Sequence, residues 1–179
     1  LILAAALALV QAVVPLIGAQ RNDPGWMAVG GPAAVMQLVF VGFSFAALTR
    51  AFVTSDFSLR IVTENSHTLK PLIYKIAGTW GNHEGSLLLW VLILAAFGAS
   101  AAVFGGNLPP RLRARVLAVQ GMIGVAFLLF LLLTSNPFWR LAAPPLNGQD
   151  LNPLLQDPGL AFHPPMLYLG FVGFTIPFA

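Results

Sequence analysis

The chain has 179 residues, of which 58% are hydrophobic and 8% charged, and its mean hydropathy is +0.82. Soluble domains are about 45–50% apolar and about 25% charged, so this composition excludes a soluble globule and intrinsic disorder. The net charge of +3 rests on only nine basic residues, too few for a nucleic-acid-binding face, and the lack of cysteine removes disulfides, thiolate metal ligands and thiol chemistry.

Spanning about 30 Å of hydrocarbon takes roughly 20 helical residues. The first predicted span is Leu1–Ala19. It lacks a basic leader and is long for a secretory signal, so it reads as a membrane helix. After a link bearing Arg21, the second span runs from about Ala33 to Thr49 and a few residues beyond. A polar segment, 54–85, leads into the third span, Ser86–Gly106. A short link with Arg111, Arg113 and Arg115 precedes the fourth, Val116–Thr134. A second long segment, 135–165, leads to a fifth span that begins near Met166. The predicted fold is an all-α polytopic membrane bundle: four full transmembrane helices, the start of a fifth, and two long outer loops. Residues 1–179 are expected to form a single transmembrane domain. Residue 1 is Leu and Ala179 falls inside an apolar run, so the chain is expected to be the N-terminal part of a larger membrane protein.

None of the span cores contains Asp, Glu, Lys, Arg or His, which argues against a proton pump or antiporter. Gln11, Gln37 and Gln120, with the glycines of spans two to four, are expected to serve helix–helix contact. The arginine-rich link between spans three and four is the best cytoplasmic candidate. By alternation the two long segments then lie together on the outer face, with the N-terminus outside. His67, His83 and His163 all fall in those segments, so the chemistry is expected there.

The first outer segment ends TWGNHEGSLLLW, Thr79 to Trp90. Gly81 and Gly85 permit tight turns, Trp80 suits a headgroup-level belt, and Ser86 is a candidate cap for the third span. His83 and Glu84 read either as a structural hydrogen-bonded pair or as part of a site. His67 reads as an ordinary exposed loop residue. In the second segment, DLNP and QDPG carry turn chemistry around Asp150, Asn152 and Asp157. His163 precedes Pro164-Pro165, which predicts a position at the mouth of the fifth span near its N-cap. A helix start disfavours an imidazolium and favours anions such as porphyrin carboxylates. On these grounds His163 is either a polar interface residue or a metal ligand. Phosphate-binding glycine loops, HExxH pairs, EF-hand loops and GxSxG elbows are absent.

Three blocks carry a resemblance: TWGNHEGSLLLW, LLFLLLTSNPF (Leu128–Phe138) and DLNPLLQDPGLAFHPPMLYLGFVGF (Asp150–Phe174). Together with DFSLRIVTENSHTLKPLIYKIAGTWG they resemble, in order and over nearly the whole chain, the N-terminal part of the CcmF family of cytochrome c-type biogenesis proteins. The resemblance implies polytopic proteins of the bacterial inner membrane, with functional loops on the periplasmic side, that act as haem lyases. Such proteins take haem from a periplasmic haem chaperone and hold it at the outer face. They attach its vinyl groups to the thiols of a C-x-x-C-H site in an apocytochrome c, alongside other cytochrome c maturation membrane proteins.

Two periplasmic histidines serve that family as axial ligands, flanking a tryptophan-rich segment. His163, in FHPP, matches the first; the tryptophan-rich segment and second ligand do not occur in these residues. The expected haem-contacting set is therefore His163 as iron ligand, with Trp80, His83, Glu84, Pro164 and Pro165 around it. No acid–base catalyst is expected, since thioether formation needs positioning above all. A relative serving a specialised cytochrome, such as a nitrite reductase haem lyase, shares these motifs. The alternatives are a transporter subunit moving haem or another solute, and a non-catalytic scaffold.

Overall fold

Long runs of Ala, Leu, Val and Phe with few breakers build the membrane layer of the computed structural model, which describes residues 1–150, 152 and 156–179, Leu160 by its backbone alone. Helix α1 (Ile2–Arg21) ends where Asn22 adopts a left-handed conformation, φ 59°, a common way to stop a helix. Asp23 then caps α2 (Pro24–Ala28), its carboxylate accepting from Gly25 N at 2.8 Å and Trp26 N at 3.2 Å. Helix α2 runs almost directly into α3 (Gly30–Val53), giving one 30-residue span. Two short helices follow, α4 (Arg60–Asn65) and α5 (Leu72–Gly78). Then come α6 (His83–Phe104), α7 (Pro110–Leu133), α8 (Pro158–Gly173) and α9 (Thr175–Phe178). Among the described residues, four spans are long and apolar enough to cross a membrane. The all-helical multi-pass architecture is the one predicted.

Small residues set the helix spacing. Ala4, Ala8, Ala12 and Ala19 line the buried face of α1. Opposite them, a Cβ on Gly121 of α7 would stand 2.6 Å from Ala12 N. These two backbones are in contact, as small-residue packing in membranes requires. The glutamines join helices as expected: Gln11 Nε2 donates to Leu117 O at 2.9 Å, and Gln120 Nε2 to Thr175 O at 2.8 Å.

Two of the boundary differences from expectation bear on the site and the arginines. Helix α7 starts at Pro110, so Arg111, Arg113 and Arg115 lie in its first turns rather than in a link. Pro110 is pre-shaped for a first helical position, and Arg113 donates from Nη2 to Ala102 O, capping the end of α6. Arg111 Nε reaches Asn22 Oδ1 at 2.9 Å, which puts both arginine-bearing connections at one end of the bundle. The other difference is α8, which starts eight residues before Met166.

At the opposite end the two long segments form a joint layer. Arg60 N donates to Trp139 O and Leu141 N to Ser58 O, each at 2.9 Å, and Gln149 N donates to Thr63 O at 2.7 Å. Phe57, Leu59, Ile61 and Val62 continue the bundle core over Phe52, Leu88, Leu128 and Leu131. The first of these segments is therefore not a plain loop: α4 and α5 cap the membrane bundle.

Candidate functional site

The layer formed by the two long segments is pinned by side chains far apart in sequence. Arg60 Nη2 lies 3.1 Å from Glu84 Oε1, its Nε 3.8 Å from Glu64, and its guanidinium 5.5 Å over the Trp139 ring. Lys70, whose side chain is wholly buried, reaches Asp150 Oδ1 at 3.0 Å and Asn65 O at 2.8 Å. Burial pushes the Lys70 ammonium below its usual range, against the opposing pull of Asp150. His67 is not a simple exposed residue: its Nε2 lies 2.8 Å from Asn147 Nδ2, and its Nδ1 accepts from Leu69 N. At the end of α3 the Ser58 hydrogen bond holds the Asp56 carboxyl below its ordinary value, helped by Arg140.

The TWGNHEGS block is a tight junction into α6. Asn82, not Ser86, caps the helix: its Oδ1 accepts from Gly85 N at 2.7 Å and its Nδ2 donates to Gly78 O at 2.6 Å. Ser86 Oγ instead donates to His83 O. Asparagine is as strong an N-cap as serine, and here it also ties α5 to α6. Gly85 is needed for close approach rather than for a turn, since a Cβ there would run into the Thr79 carbonyl and no glycine in the described residues has positive φ.

His83 and Glu84 do not pair with each other. Adjacent helical residues point about 100° apart, and each finds its own partner. Glu84 meets Arg60. His83 Nε2 lies 3.2 Å from Ser135 Oγ, and its ring meets Phe130 edge-on at 6.3 Å. His83 rims an apolar groove of about 440 Å³ lined by Leu87, Ala126, Phe127 and Phe130.

Helix α8 carries His163, but not near its N-cap. Pro158 opens the helix and Ala161 N donates to Asp157 O at 2.9 Å, so His163 lies in the second turn with Pro164 and Pro165 inside the helix. The Asp-Pro pair is the stronger start signal, combining an acidic residue with a proline at the first position. The dipole argument for His163 lapses accordingly, because the effect fades beyond the first turn. That helix end also has a resident acid, Asp157, which leaves it poorly suited to porphyrin carboxylates. The DLNP turn lies partly outside the described residues. Asp150 is in a left-handed conformation, φ 77°, and accepts from Gln156 Nε2 at 3.4 Å.

Ala161 and Val172 of α8 are buried, and Val172 packs with Tyr168, Trp80, Leu89 and Ile93. Trp80 Nε1 donates to Ala161 O at 2.8 Å. His163 lies about 200° round the helix from Ala161, exposed among Phe162, Met166 and Leu167. Of the expected set, Trp80, Pro164, Pro165 and His163 therefore gather at the first turns of α8. His83 and Glu84 are committed to Ser135 and Arg60. The organising roles of Arg60, Lys70, Trp139 and Asn147 have no local signature in sequence.

Comparison with known proteins fits this arrangement. A family model described as cytochrome C assembly protein matches residues 80–179, more than half of the chain and including both TWGNHEGS from Trp80 onward and FHPP. The chain is 70% identical over its whole length to the cytochrome c-type biogenesis protein ccl1 of Rhodobacter capsulatus, and 50% identical to CcmF of Escherichia coli K12. It spans 27% and 28% of those relatives' lengths. A solved structure, "Cytochrome c Heme Lyase CcmF", superposes with a TM-score of 0.83 at 27% identity, covering 98% of this chain and 27% of that one. The resemblance to CcmF proteins read from the motifs is met by these matches, and the chain belongs to the cytochrome c assembly protein family.

Proposed function

We propose that this chain is the haem-holding part of a haem-lyase-type cytochrome c maturation factor in a bacterial inner membrane. In this reading residues 1–179 form one transmembrane domain, and the layer containing α4, α5 and the start of α8 faces the periplasm. The observation that carries it is the state of His163: an exposed imidazole in the second turn of α8, with no hydrogen-bond partner among the described residues. An axial ligand needs a free ring nitrogen, and Phe162, Met166 and Leu167 offer the porphyrin an apolar flank.

His163 would hold the iron through one ring nitrogen, with any further ligand supplied from outside these residues. When bound, haem supplies the vinyl groups that take up the cysteine thiols of a C-x-x-C-H segment. The chain itself contributes no thiol and no obvious acid–base pair; its part is to fix position, which alone is worth many powers of ten in rate. The layer pinned by Arg60, Glu84 and Lys70 would give an apocytochrome, and a periplasmic haem chaperone before it, a preformed surface to dock on. Other maturation proteins of the membrane would pack on the exposed apolar faces.

The test is His163→Ala in the family-length protein, reconstituted with haem and a C-x-x-C-H peptide. Loss of thioether product together with a changed bound-haem spectrum supports the assignment. Unchanged product and spectrum overturn it. Solute flux without thioether formation would instead support a transporter, and peptide binding alone a scaffold.

A further inference from the structure

We infer that Trp80 is a positioning residue for the helix that carries His163, its indole N–H replacing the backbone donor that Pro165 lacks. The part of this that concerns haem rests on the proposed role of His163; the contact itself does not.

In α8 each N–H should serve the carbonyl four residues earlier. Prolines at 164 and 165 have no N–H, so the carbonyls of residues 160 and 161 lose their donors. Ala161 is only 3% exposed, and leaving a buried carbonyl without a partner forfeits its solvation with nothing in return. Trp80 Nε1 stands 2.8 Å from Ala161 O, 81 residues away in sequence. Indole is a donor only, so the two unmet needs cancel.

The donor is also rigidly mounted. Trp80 stacks on Phe45 of α3 at 6.5 Å with 13° between the rings, and its own N–H is held by Ala77 O at 3.1 Å. The bond therefore ties one turn of α8 to a fixed post on the bundle. With Ala161 O held inward, His163 faces the opposite side of the helix. A one-residue slip of α8 would swing the imidazole by about 100°. Trp80 thus determines where the ring points without touching it, and Pro165 is the residue that makes the indole necessary.

The test uses the family-length protein in lipid nanodiscs with Trp80→Phe, Pro165→Ala and the double variant. Phenylalanine keeps the stack on Phe45 and removes only the donor; alanine at 165 returns a backbone N–H to Ala161 O. Amide hydrogen exchange across residues 158–165 is expected to speed about ten-fold in Trp80→Phe, the loss of roughly one hydrogen bond. In the double variant it is expected to return to the parent rate. The haem spectrum should change and recover in step. Should Trp80→Phe prevent folding, recovery of folded yield by Pro165→Ala supports the same conclusion. Exchange unmoved by Trp80→Phe, or exchange and yield not restored by Pro165→Ala, overturns the inference. Exchange that responds and recovers while the haem spectrum stays constant upholds the indole link and removes His163 as ligand.

Discussion

Arg60 lies with Nη2 3.1 Å from Glu84 Oε1, joining the first long segment to the first turn of α6. The same guanidinium covers Trp139 at 5.5 Å, and the Arg60 N–H donates to Trp139 O. One residue thus holds three pieces of this layer. A partly exposed ion pair is worth up to about 1 kcal/mol, and an exposed cation–π contact about 0.5–1 kcal/mol. Arg60→Ala is expected to cost about 1 kcal/mol in thermal unfolding and to speed exchange at Leu141. Arg60→Lys should recover little of that, because an ammonium lacks the planar fork that both pairs and stacks. Full recovery by lysine would show that charge alone matters.

Two glycines in spanning helices should respond oppositely to alanine. At Gly121 a Cβ meets Ala12 N at 2.6 Å and Ala12 Cα at 3.0 Å. Backbone cannot yield as a side chain can, so α1 and α7 must part, at a cost of about 1–3 kcal/mol. At Gly42 the nearest atom is Leu92 Cδ1 at 4.0 Å, an ordinary contact. There the helix-propensity gain of up to about 1 kcal/mol should show. Thermal stability in nanodiscs checks both, and a stabilised Gly121→Ala would contradict the packing described.

The spans were legible because length and apolarity decide them, and the arginine pattern correctly grouped the connections at each end. The start of α8 was not. His163-Pro164 reads locally as a boundary, yet the helix passes through it, beginning at Pro158 and receiving a side-chain donor from Trp80. A tertiary bond 81 residues away offset a local penalty, and no window of sequence contains it. The same holds for His67 with Asn147 and Lys70 with Asp150. Conversely, His83 and Glu84 looked like a pair because they are adjacent, when adjacency on a helix separates them. At the site the residue types were legible, and their partners were not.

The buried glutamines should also diverge. Gln120 donates to Thr175 O at 2.8 Å and accepts from Thr175 Oγ at 3.3 Å, anchoring the end of the chain to α7. Gln120→Leu is expected to cost about 0.6–1.7 kcal/mol, the range for hydrogen bonds between membrane helices. Gln11 donates to Leu117 O, but its Oε1 is buried with no partner among the described residues. Replacing it with leucine removes that unmet acceptor, so Gln11→Leu should be neutral or stabilising. Thermal unfolding of the two variants side by side checks this, and a Gln11→Leu loss equal to that of Gln120→Leu would contradict it.

Lys70 makes the layer over the bundle sensitive to alkaline pH, and the sign follows from burial. Its pKa in the folded chain lies below the 10.5 of a free lysine, chiefly because burial disfavours the charged form. The Asp150 hydrogen bond and charge pull the other way, and Lys75 adds to the lowering. Between the folded value and 10.5 the unfolded chain binds more protons, so stability rises with pH across that window. Below the folded value the penalty for the buried charge is fully present. Asp150→Asn removes the opposing charge and leaves only a neutral acceptor, so the lysine pKa should fall further and the window should extend downward. Following the Lys70 side-chain resonance through titration, alongside the pH dependence of thermal unfolding, reads both quantities. A Lys70 pKa above 10.5 in the folded chain, with stability that declines as pH rises past 10.5, would show that pairing rather than burial governs this residue.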